Sequence, residues 1–338
     1  MAEQKVSKED KFNKCQNMLL GIAMGDALGV GFELLMDRKK VRDKFKFDCY
    51  IPGGVGWKSG QYSDDTQMSI AITELLISKK RFNINNLADY FLRIYQRDPH
   101  MGYGGSVCEG LKKSKNPKEF LRIIPGNSSG NGACMRAVPL GVLPKIKDVV
   151  EYAKINAKVT HNVPSAIASS VCVGVASHYF YYNLGKPEDV FDYCINICEN
   201  IDKESAEYFK IIKDMKKFNP VILFGSENEF KGVAPNGMRT AGAALYIISK
   251  FYKNPSETLR EAILLGGDTD TVASICFGIV AIKTGIEKLP DFLFRDLENK
   301  SHGRDYLIEL GEKLEKIARA FPPSKPQTTH AHSQTPSP

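Results

Sequence analysis

The chain has 338 residues, of which 43% are hydrophobic and 25% charged, the balance of an ordinary globular protein. Its formal net charge of +7 comes from 46 basic and 39 acidic residues spread along the whole length, without a Lys/Arg block that would bind nucleic acid. The first residues contain no apolar segment of a signal peptide, no apolar stretch is long enough to span a bilayer, and the eight cysteines form no CxxC pair. Composition argues against a secreted disulfide scaffold, a membrane protein and a DNA-binding module. We expect a cytoplasmic protein with reduced thiols.

In chain order, apolar residues recur at helical spacing almost everywhere. The first predicted helix runs into the sequence Gly25-Asp26-Ala27-Leu28-Gly29, and the second covers 64–80. The segment 166–182 is apolar nearly all round, which predicts a buried helix. Further helical patterns cover 86–97, 147–158, 187–198, 203–217, 237–252, 256–265, 271–284 and 303–320. Only 45–51 and 221–224 are rich in β-forming residues, and both are short, so the predicted fold class is all-α.

Glycine and proline punctuate this pattern without dividing it. The polar, Gly-rich segments 52–54, 102–105 and 126–132 are predicted to be loops between helices, and none is long enough to link two domains. We therefore predict one helical domain over 11–321, preceded by a flexible N-terminus at 1–10. Residues 322–338 have no apolar periodicity and are predicted to be a disordered tail.

Three acidic motifs are candidates for chemistry. The first is the Gly25–Gly29 sequence followed by Glu33, the second is Tyr62-Ser63-Asp64-Asp65-Thr66-Gln67-Met68, and the third is Gly266-Gly267-Asp268-Thr269-Asp270-Thr271. Taken singly, each has an ordinary explanation, because Ser and Asp before an apolar run are common helix N-caps.

The combination favours a metal site. Helix capping needs one such side chain, whereas here two acidic pairs and two hydroxyls stand in the same short turns. If the motifs converge in space, four or five carboxylates share a small volume, which is stable only with protons or cations present. The ligands are oxygen atoms alone, and such ligands favour Mg²⁺ or Mn²⁺ over zinc.

The order and spacing of these three motifs resemble the ADP-ribosylglycohydrolase family, and the resemblance covers about residues 14–320. It implies a compact, single-domain orthogonal bundle of helices with two Mg²⁺ or Mn²⁺ ions at its centre. Carried over by position, Ser63, Asp64 and Asp65 would ligate one ion, Asp268 and Thr271 the other, and Asp270 both. Glu33 would be a ligand or would orient the attacking water, so Glu33, Asp64 and Asp65 are the expected catalytic residues. Asp26 would support the ligands from behind. The family more often has Thr where this chain has Ser63, which keeps the hydroxyl.

The resemblance also implies how a substrate would bind. The loop with Gly102, Tyr103, Gly104 and Gly105 resembles the family segment that contacts the diphosphate of ADP-ribose. The loop with Ser128, Ser129, Gly130 and Asn131 resembles its second phosphate and ribose loop, and His161 matches a histidine of the substrate cleft. Both loops precede helical patterns, where free backbone N–H groups bind anions, although two tight turns would have the same sequence. Trp57 could form a wall of the site or belong to the core.

The function that the resemblance implies is Mg²⁺-dependent removal of ADP-ribose from a modified protein side chain, with arginine favoured as the acceptor. One alternative is hydrolysis of a free nucleotide-sugar such as O-acetyl-ADP-ribose. Another is a non-catalytic, crystallin-like or ADP-ribose-binding protein, which would be expected to lose the acidic residues that are all present here. The expected partners are an ADP-ribosylated protein and the ADP-ribose product, and we expect a monomer. A bacterial effector acting in a host cytoplasm would carry the same motifs.

Overall fold

The computed structural model describes residues 11–35, 37–224 and 232–320. Its described residues form seventeen α-helices and no β-strand, with only three isolated β-bridges, which confirms the all-α prediction. The helices are α1 (Lys14–Val30), α2 (Arg38–Lys44), α3 (Asp64–Ile77), α4 (Ile84–Arg97), α5 (Gly105–Lys113), α6 (Pro117–Ile123), α7 (Gly132–Met135), α8 (Ile146–Lys158), α9 (Pro164–Tyr181), α10 (Val190–Cys198), α11 (Lys203–Lys213), α12 (Pro220–Phe224), α13 (Gly237–Phe251), α14 (Pro255–Leu264), α15 (Thr269–Thr284), α16 (Asp291–Arg295) and α17 (Arg304–Ala320). Two 3₁₀-helices cover Val138–Val142 and Pro187–Asp189.

The helix ends follow local sequence signals. Asn13 caps α1 in a capping box: its side chain accepts from the backbone N–H of Gln16, and the Gln16 side chain accepts from the backbone N–H of Asn13, both at 2.9 Å. Pro164 occupies the first turn of α9, where its missing N–H costs nothing. Helix α9 is buried over most of its length, in agreement with its apolar sequence.

Helices α1 and α15 form the centre of the molecule and pack antiparallel at very short range. A Cβ atom added to Gly21 would lie 2.7 Å from the carbonyl oxygen of Phe277, and one added to Gly25 would lie 2.3 Å from that of Ala273. One added to Gly29 would lie 2.3 Å from the Cα atom of Asp270. The glycines four residues apart on α1 therefore bring the C-terminal end of α1 against the N-terminal turn of α15.

The two β-rich segments do not form strands. Phe45 and Phe47 stack with ring centroids 5.5 Å apart, and Phe47 has a φ of +55°, which a strand does not allow. Residues 220–224 form α12, which begins at Pro220. In the first segment the phenylalanine rings pack on each other, and in the second the backbone is helical, so neither β-rich segment departs from the predicted all-α fold.

Three further predictions concern the two ends of the chain, the cysteines and membrane-spanning helices. The segments 1–10 and 322–338, predicted to be flexible, lie outside the described residues. All eight cysteines have free thiols, and only Cys49 is exposed. None of the described helices has the length and apolarity that a membrane span requires.

Candidate functional site

The site begins with a buried carboxylate that joins α1 to α3. Asp26 on α1 is fully buried, and its Oδ1 accepts from the backbone N–H of Ser63 at 2.9 Å. Its Oδ2 accepts from the backbone N–H and the hydroxyl of Thr66 at 2.9 and 2.6 Å. Burial raises the pKa of Asp26 to about 6 in spite of these hydrogen bonds. Asp26 thus orients the first turn of α3 from behind.

The first turn of α3 holds the second motif and contacts α15. Ser63 caps the helix by accepting from the backbone N–H of Asp65 at 3.2 Å. The Oδ2 atom of Asp65 accepts from the hydroxyls of Ser63 and Thr271 at 3.3 and 3.4 Å. Its other oxygen, Oδ1, is buried and has no hydrogen-bond partner in the described structure. An orphaned carboxylate oxygen is costly, and it leaves a lone pair for a cation.

The third motif opens α15 after a turn that only glycine allows. Gly266 and Gly267 have φ angles of +70° and +79°, and a Cβ on Gly267 would lie 2.2 Å from the carbonyl oxygen of Val233. After this turn, Asp268 accepts at Oδ2 from the side-chain amide of Asn131 at 2.8 Å. Asp270 accepts at Oδ1 from the backbone N–H of Thr271 at 2.8 Å.

A cavity of about 300 Å³ opens where the three motifs meet. Acidic and hydroxyl side chains line one part of it: Glu33, Asp64, Asp65, Asp268, Asp270 and Thr271. Residues of the two Gly-rich loops and a histidine line another: Gly102, Gly104, Gly105, Ser128, Gly130, Asn131 and His161. The fold therefore brings most of the predicted site residues to one cavity.

Glu33, Asp64, Asp65, Asp268, Asp270 and Thr271 form what we call the acidic wall of the cavity. Burial and mutual repulsion dominate its electrostatics. Burial first, and then the charges of the surrounding carboxylates, raise the pKa values of Asp64, Asp65 and Asp270 well above that of an ordinary aspartate. For Glu33, which is half-buried, burial followed by the charges of Asp268 and Asp26 raises the pKa to about 7. Such a cluster is stable only when protons or cations compensate the negative charge.

The donor set fits a hard divalent cation. The acidic wall offers carboxylate and hydroxyl oxygens, including the partnerless Oδ1 of Asp65, and oxygens are the ligands that Mg²⁺ and Mn²⁺ prefer. In the described residues, no three Asp, Glu, His or Cys side chains already form one group that could hold an ion. The fold thus supplies the oxygens in one cavity, while the two-ion site stays a prediction.

The first Gly-rich loop packs directly on the acidic turn. The carbonyl oxygen of Met101 accepts from the backbone N–H of Asp64 at 3.0 Å. Gly102 has a φ of +104°, and a Cβ there would lie 2.1 Å from Oδ1 of Asp64. The loop then starts α5 at Gly104 and Gly105, where no side chain caps the helix, so its free N–H groups border the cavity.

Some predicted residues do not line the cavity. The hydroxyl of Tyr103 donates to Oε1 of Gln67 at 2.6 Å, and its ring packs edge-on against Tyr95 at 5.3 Å. Ser129 accepts with its carbonyl oxygen from the backbone N–H of Gly237. Trp57 is half-buried near Gly53. Asn131 does line the cavity, but its amide is engaged by Asp268 and by the hydroxyl of Thr240.

The cavity also contains residues that sequence reasoning did not single out. Arg136, Met135 and Pro235 line it. Arg136 is fully buried. The available signal was an isolated arginine in the apolar stretch 133–143, because a charged residue in a buried run usually has a partner or a function.

The chain is similar in sequence and in fold to known proteins. A family model described as ADP-ribosylglycohydrolase matches residues 7–325. The ADP-ribosylhydrolase ARH3 of Xenopus tropicalis is 27% identical, over 90% of this chain and 95% of its own length. The ADP-ribosyl-[dinitrogen reductase] glycohydrolase of Rhodospirillum rubrum is 23% identical, over 83% and 89%. A solved structure titled ADP-ribosylglycohydrolase-related protein complex superposes with a TM-score of 0.68 at 20% identity, covering 90% of this chain and 98% of the other, a likeness of fold alone.

Proposed function

The chain belongs to the ADP-ribosylglycohydrolase family, and we propose that it hydrolyses the glycosidic bond between ADP-ribose and a modified protein side chain, with arginine the favoured acceptor. The observation that carries the proposal is the convergence of Glu33, Asp64, Asp65, Asp268 and Asp270 on one cavity that two Gly-rich loops also border. A carboxylate wall suits ion-assisted attack by water, and backbone N–H groups at a helix start suit a diphosphate. The preference for arginine rests on the residues of two sequence motifs, Gly25–Gly29 and Ser63–Met68.

The residues that would hold two Mg²⁺ or Mn²⁺ ions are Ser63, Asp64, Asp65, Asp268, Asp270, Thr271 and, as a further ligand, Glu33. When bound, such a pair of ions would hold ribose hydroxyls and lower the pKa of a water. Two contacts preorganise the ligands: Asp26 holds the backbone of the α3 turn, and the Asn131 amide holds one oxygen of Asp268.

Glu33 is the proposed proton acceptor. Water attacks C1″ of the ribose, the new C1″–O bond forms as the C1″–N bond to the guanidino group breaks, and one proton of the water passes to the Glu33 carboxylate. The proton then leaves with the departing nitrogen, so the arginine side chain is restored. A pKa near 7, caused by burial and by Asp268 and Asp26, suits a group that gains and loses a proton at neutral pH.

The deciding experiment measures release of ADP-ribose from arginine-linked and serine-linked protein substrates and from O-acetyl-ADP-ribose, each with Mg²⁺ and with EDTA. We expect release from the arginine linkage that EDTA abolishes. Asp64→Asn should reduce this release by more than about 100-fold, because it removes a charged ligand from the acidic wall.

Asp43→Asn, at an exposed aspartate of α2, is the control and should retain full activity. Release only from the serine linkage would correct the acceptor, and release only from O-acetyl-ADP-ribose would replace protein by a free nucleotide-sugar. A folded protein that releases nothing from any of the three would refute the proposed hydrolysis.

A further inference from the structure

Arg136 is a fully buried cation that is held by neutral groups. Its Nε donates to Oδ1 of Asn156 at 2.6 Å, and its Nη2 donates to the carbonyl oxygen of Asn156 at 3.0 Å. The guanidinium carbon lies 4.5 Å from the centroid of the Phe91 ring. Burial lowers the pKa of Arg136 to about 9, so the side chain still carries its proton at neutral pH. Its position is therefore fixed on several sides at the edge of the cavity.

A chain of two hydrogen bonds runs from Arg136 to His161. Nη2 of Arg136 donates to Oγ1 of Thr160 at 2.7 Å, and Oγ1 of Thr160 lies 2.6 Å from Nδ1 of His161. A guanidinium can only donate, so the Thr160 oxygen is an acceptor in the first bond. The oxygen could accept a second bond from an Nδ1–H of His161, but the proton of the buried Thr160 hydroxyl would then have no acceptor in the part of the chain that the structure describes. We therefore assign the Thr160 hydroxyl as the donor of the second bond and Nδ1 of His161 as its acceptor.

This direction fixes the tautomer of His161. If Nδ1 accepts, the proton of the neutral ring is on Nε2. Burial, followed by the charge of Arg136, lowers the pKa of His161 to about 3, so the ring is neutral at pH 7. His161 lines the cavity, and in the part of the chain that the structure describes Nε2 has no hydrogen-bond partner.

Gly130 and Gly132 leave the space beside the loop that the His161 ring occupies. A Cβ on Gly132 would lie 2.6 Å from Cε1 of His161, and one on Gly130 would lie 3.3 Å from Nε2. The backbone of His161 is anchored as well, since its N–H donates to the carbonyl oxygen of Ala157 at 2.7 Å. The ring therefore has little freedom to turn its Nε2 edge elsewhere.

We propose that Arg136 and Thr160 are positioning residues that hold His161 as its neutral Nε2–H tautomer and present this N–H to an oxygen atom of the ligand in the cavity. The nature of the ligand, the diphosphate or ribose of ADP-ribose, rests on the proposed function; the tautomer does not. A neutral donor binds an oxygen without adding a positive charge beside the acidic wall, where a second cation would compete with the proposed metal ions.

The tautomer can be read directly from the ligand-free protein. In ¹⁵N-histidine NMR spectra at pH 7 we expect His161 to have an unprotonated Nδ1 and a protonated Nε2, with its signals assigned by their loss in His161→Gln. His178 is the internal control: its Nδ1 lies 3.2 Å from the carbonyl oxygen of Gly141, which can only accept, so it should show the opposite tautomer. A protonated Nδ1 on His161 would overturn the proposal.

A pair of variants tests the positioning. Thr160→Val keeps the shape of the side chain and removes the hydroxyl. The ¹⁵N signal of Nδ1 of His161 should therefore shift to that of an unprotonated nitrogen that accepts no hydrogen bond. The affinity for ADP-ribose should fall about tenfold, the effect of one weakened hydrogen bond to a charged group. Thr160→Ser retains the hydroxyl and should keep both properties.

The outcomes separate this inference from the proposed function. Unchanged affinity in a folded Thr160→Val protein would contradict the role of the Arg136–Thr160 pair in ligand binding. Wild-type protein that binds no ADP-ribose would contradict the proposed function, whereas the NMR result would still decide the tautomer.

Discussion

His100, a residue near the cavity, makes the stability of the fold depend on pH. It lies two residues before Gly102, and its ring stacks on Tyr62 with centroids 4.4 Å apart and planes 6° from parallel. Its Nε2 lies 3.0 Å from Oε1 of Glu298, and Asp98 faces its Nδ1 at 3.9 Å. Burial by itself lowers the pKa of His100, but the hydrogen bond and charge of Glu298, together with Asp98, raise it above the ordinary value of 6.5.

This raised pKa has a definite sign for stability. A histidine whose pKa is higher in the folded than in the unfolded chain stabilises the fold fully below about pH 6.5 and loses this contribution as pH rises through the folded pKa. His100→Gln should therefore be less stable than wild type near pH 6, and the deficit should shrink towards pH 9. Urea unfolding at several pH values measures the difference.

His302→Gln is the matched control for this pH effect. Burial lowers the pKa of His302, so wild type should lose stability relative to that variant as pH falls below about 6.5. The two variants should thus respond to pH in opposite directions. A His100→Gln deficit that is constant with pH would show that the imidazole acts by packing on Tyr62 alone.

At the scale of residues, the sequence predicts which acids meet, but not where every loop side chain points. Asp64, Asp65, Asp268 and Asp270 lie at helix starts, and the sequence signals of helix starts can be recognised. Tyr103 was assigned to the ligand, whereas its hydroxyl contacts Gln67, because its direction depends on the left-handed backbone of Gly102. Arg136 reaches the cavity from an apolar stretch, where composition favours a packing role.

At the scale of elements, the contact between α1 and α15 decides whether the acidic motifs meet. Helix propensity alone predicts that Gly25→Ala in α1 is stabilising by about 0.5–1 kcal/mol. The structure predicts the reverse, since the new Cβ would lie 2.3 Å from the carbonyl oxygen of Ala273, and backbone must move.

We expect Gly25→Ala to lower the free energy of unfolding by about 2 kcal/mol, the usual range for overpacking, and to reduce activity because the first turn of α15 shifts away from Asp65. Thermal and urea unfolding, with an activity assay, measure both effects. Gly54→Ala is the control: a Cβ there meets nothing within 4 Å, and its effect should stay within about 0.5 kcal/mol. A stabilised Gly25→Ala protein would mean that the two helices can separate freely.

Element prediction succeeded for long helices and failed for the shortest ones. Helices α3, α9 and α15 offer several turns of apolar periodicity, and the sequence predicted each of them. Helices α2, α6, α12 and α16 have seven residues or fewer and were not predicted, because so few turns give no clear period. Helix α5 was expected only as a helical pattern after a Gly-rich loop, and its start borders the cavity.

At the scale of the whole molecule, the buried carboxylates destabilise the fold that positions them. Burial, and then repulsion among these groups, raises the pKa values of Asp65 and Asp270, which means that the charged, ion-free cluster costs folding free energy at neutral pH. Packing of α1 on α15 must offset this cost. A cation that binds only the folded chain would reverse it.

Asp270→Asn separates the two effects, because it should change stability in opposite directions with and without Mg²⁺. Asn can still accept from the backbone N–H of Thr271 through its side-chain oxygen, while the repulsion from Asp268, Glu33 and Asp65 is removed. In EDTA at pH 8 the variant should therefore melt a few degrees above wild type. With saturating Mg²⁺ wild type should gain about 2–3 kcal/mol through ion binding, several degrees in Tm, and the variant should gain much less. Asp43→Asn should follow wild type under both conditions. An Asp270→Asn protein that is less stable in EDTA, yet gains as much from Mg²⁺, would mean that Asp270 acts by packing and is no ligand.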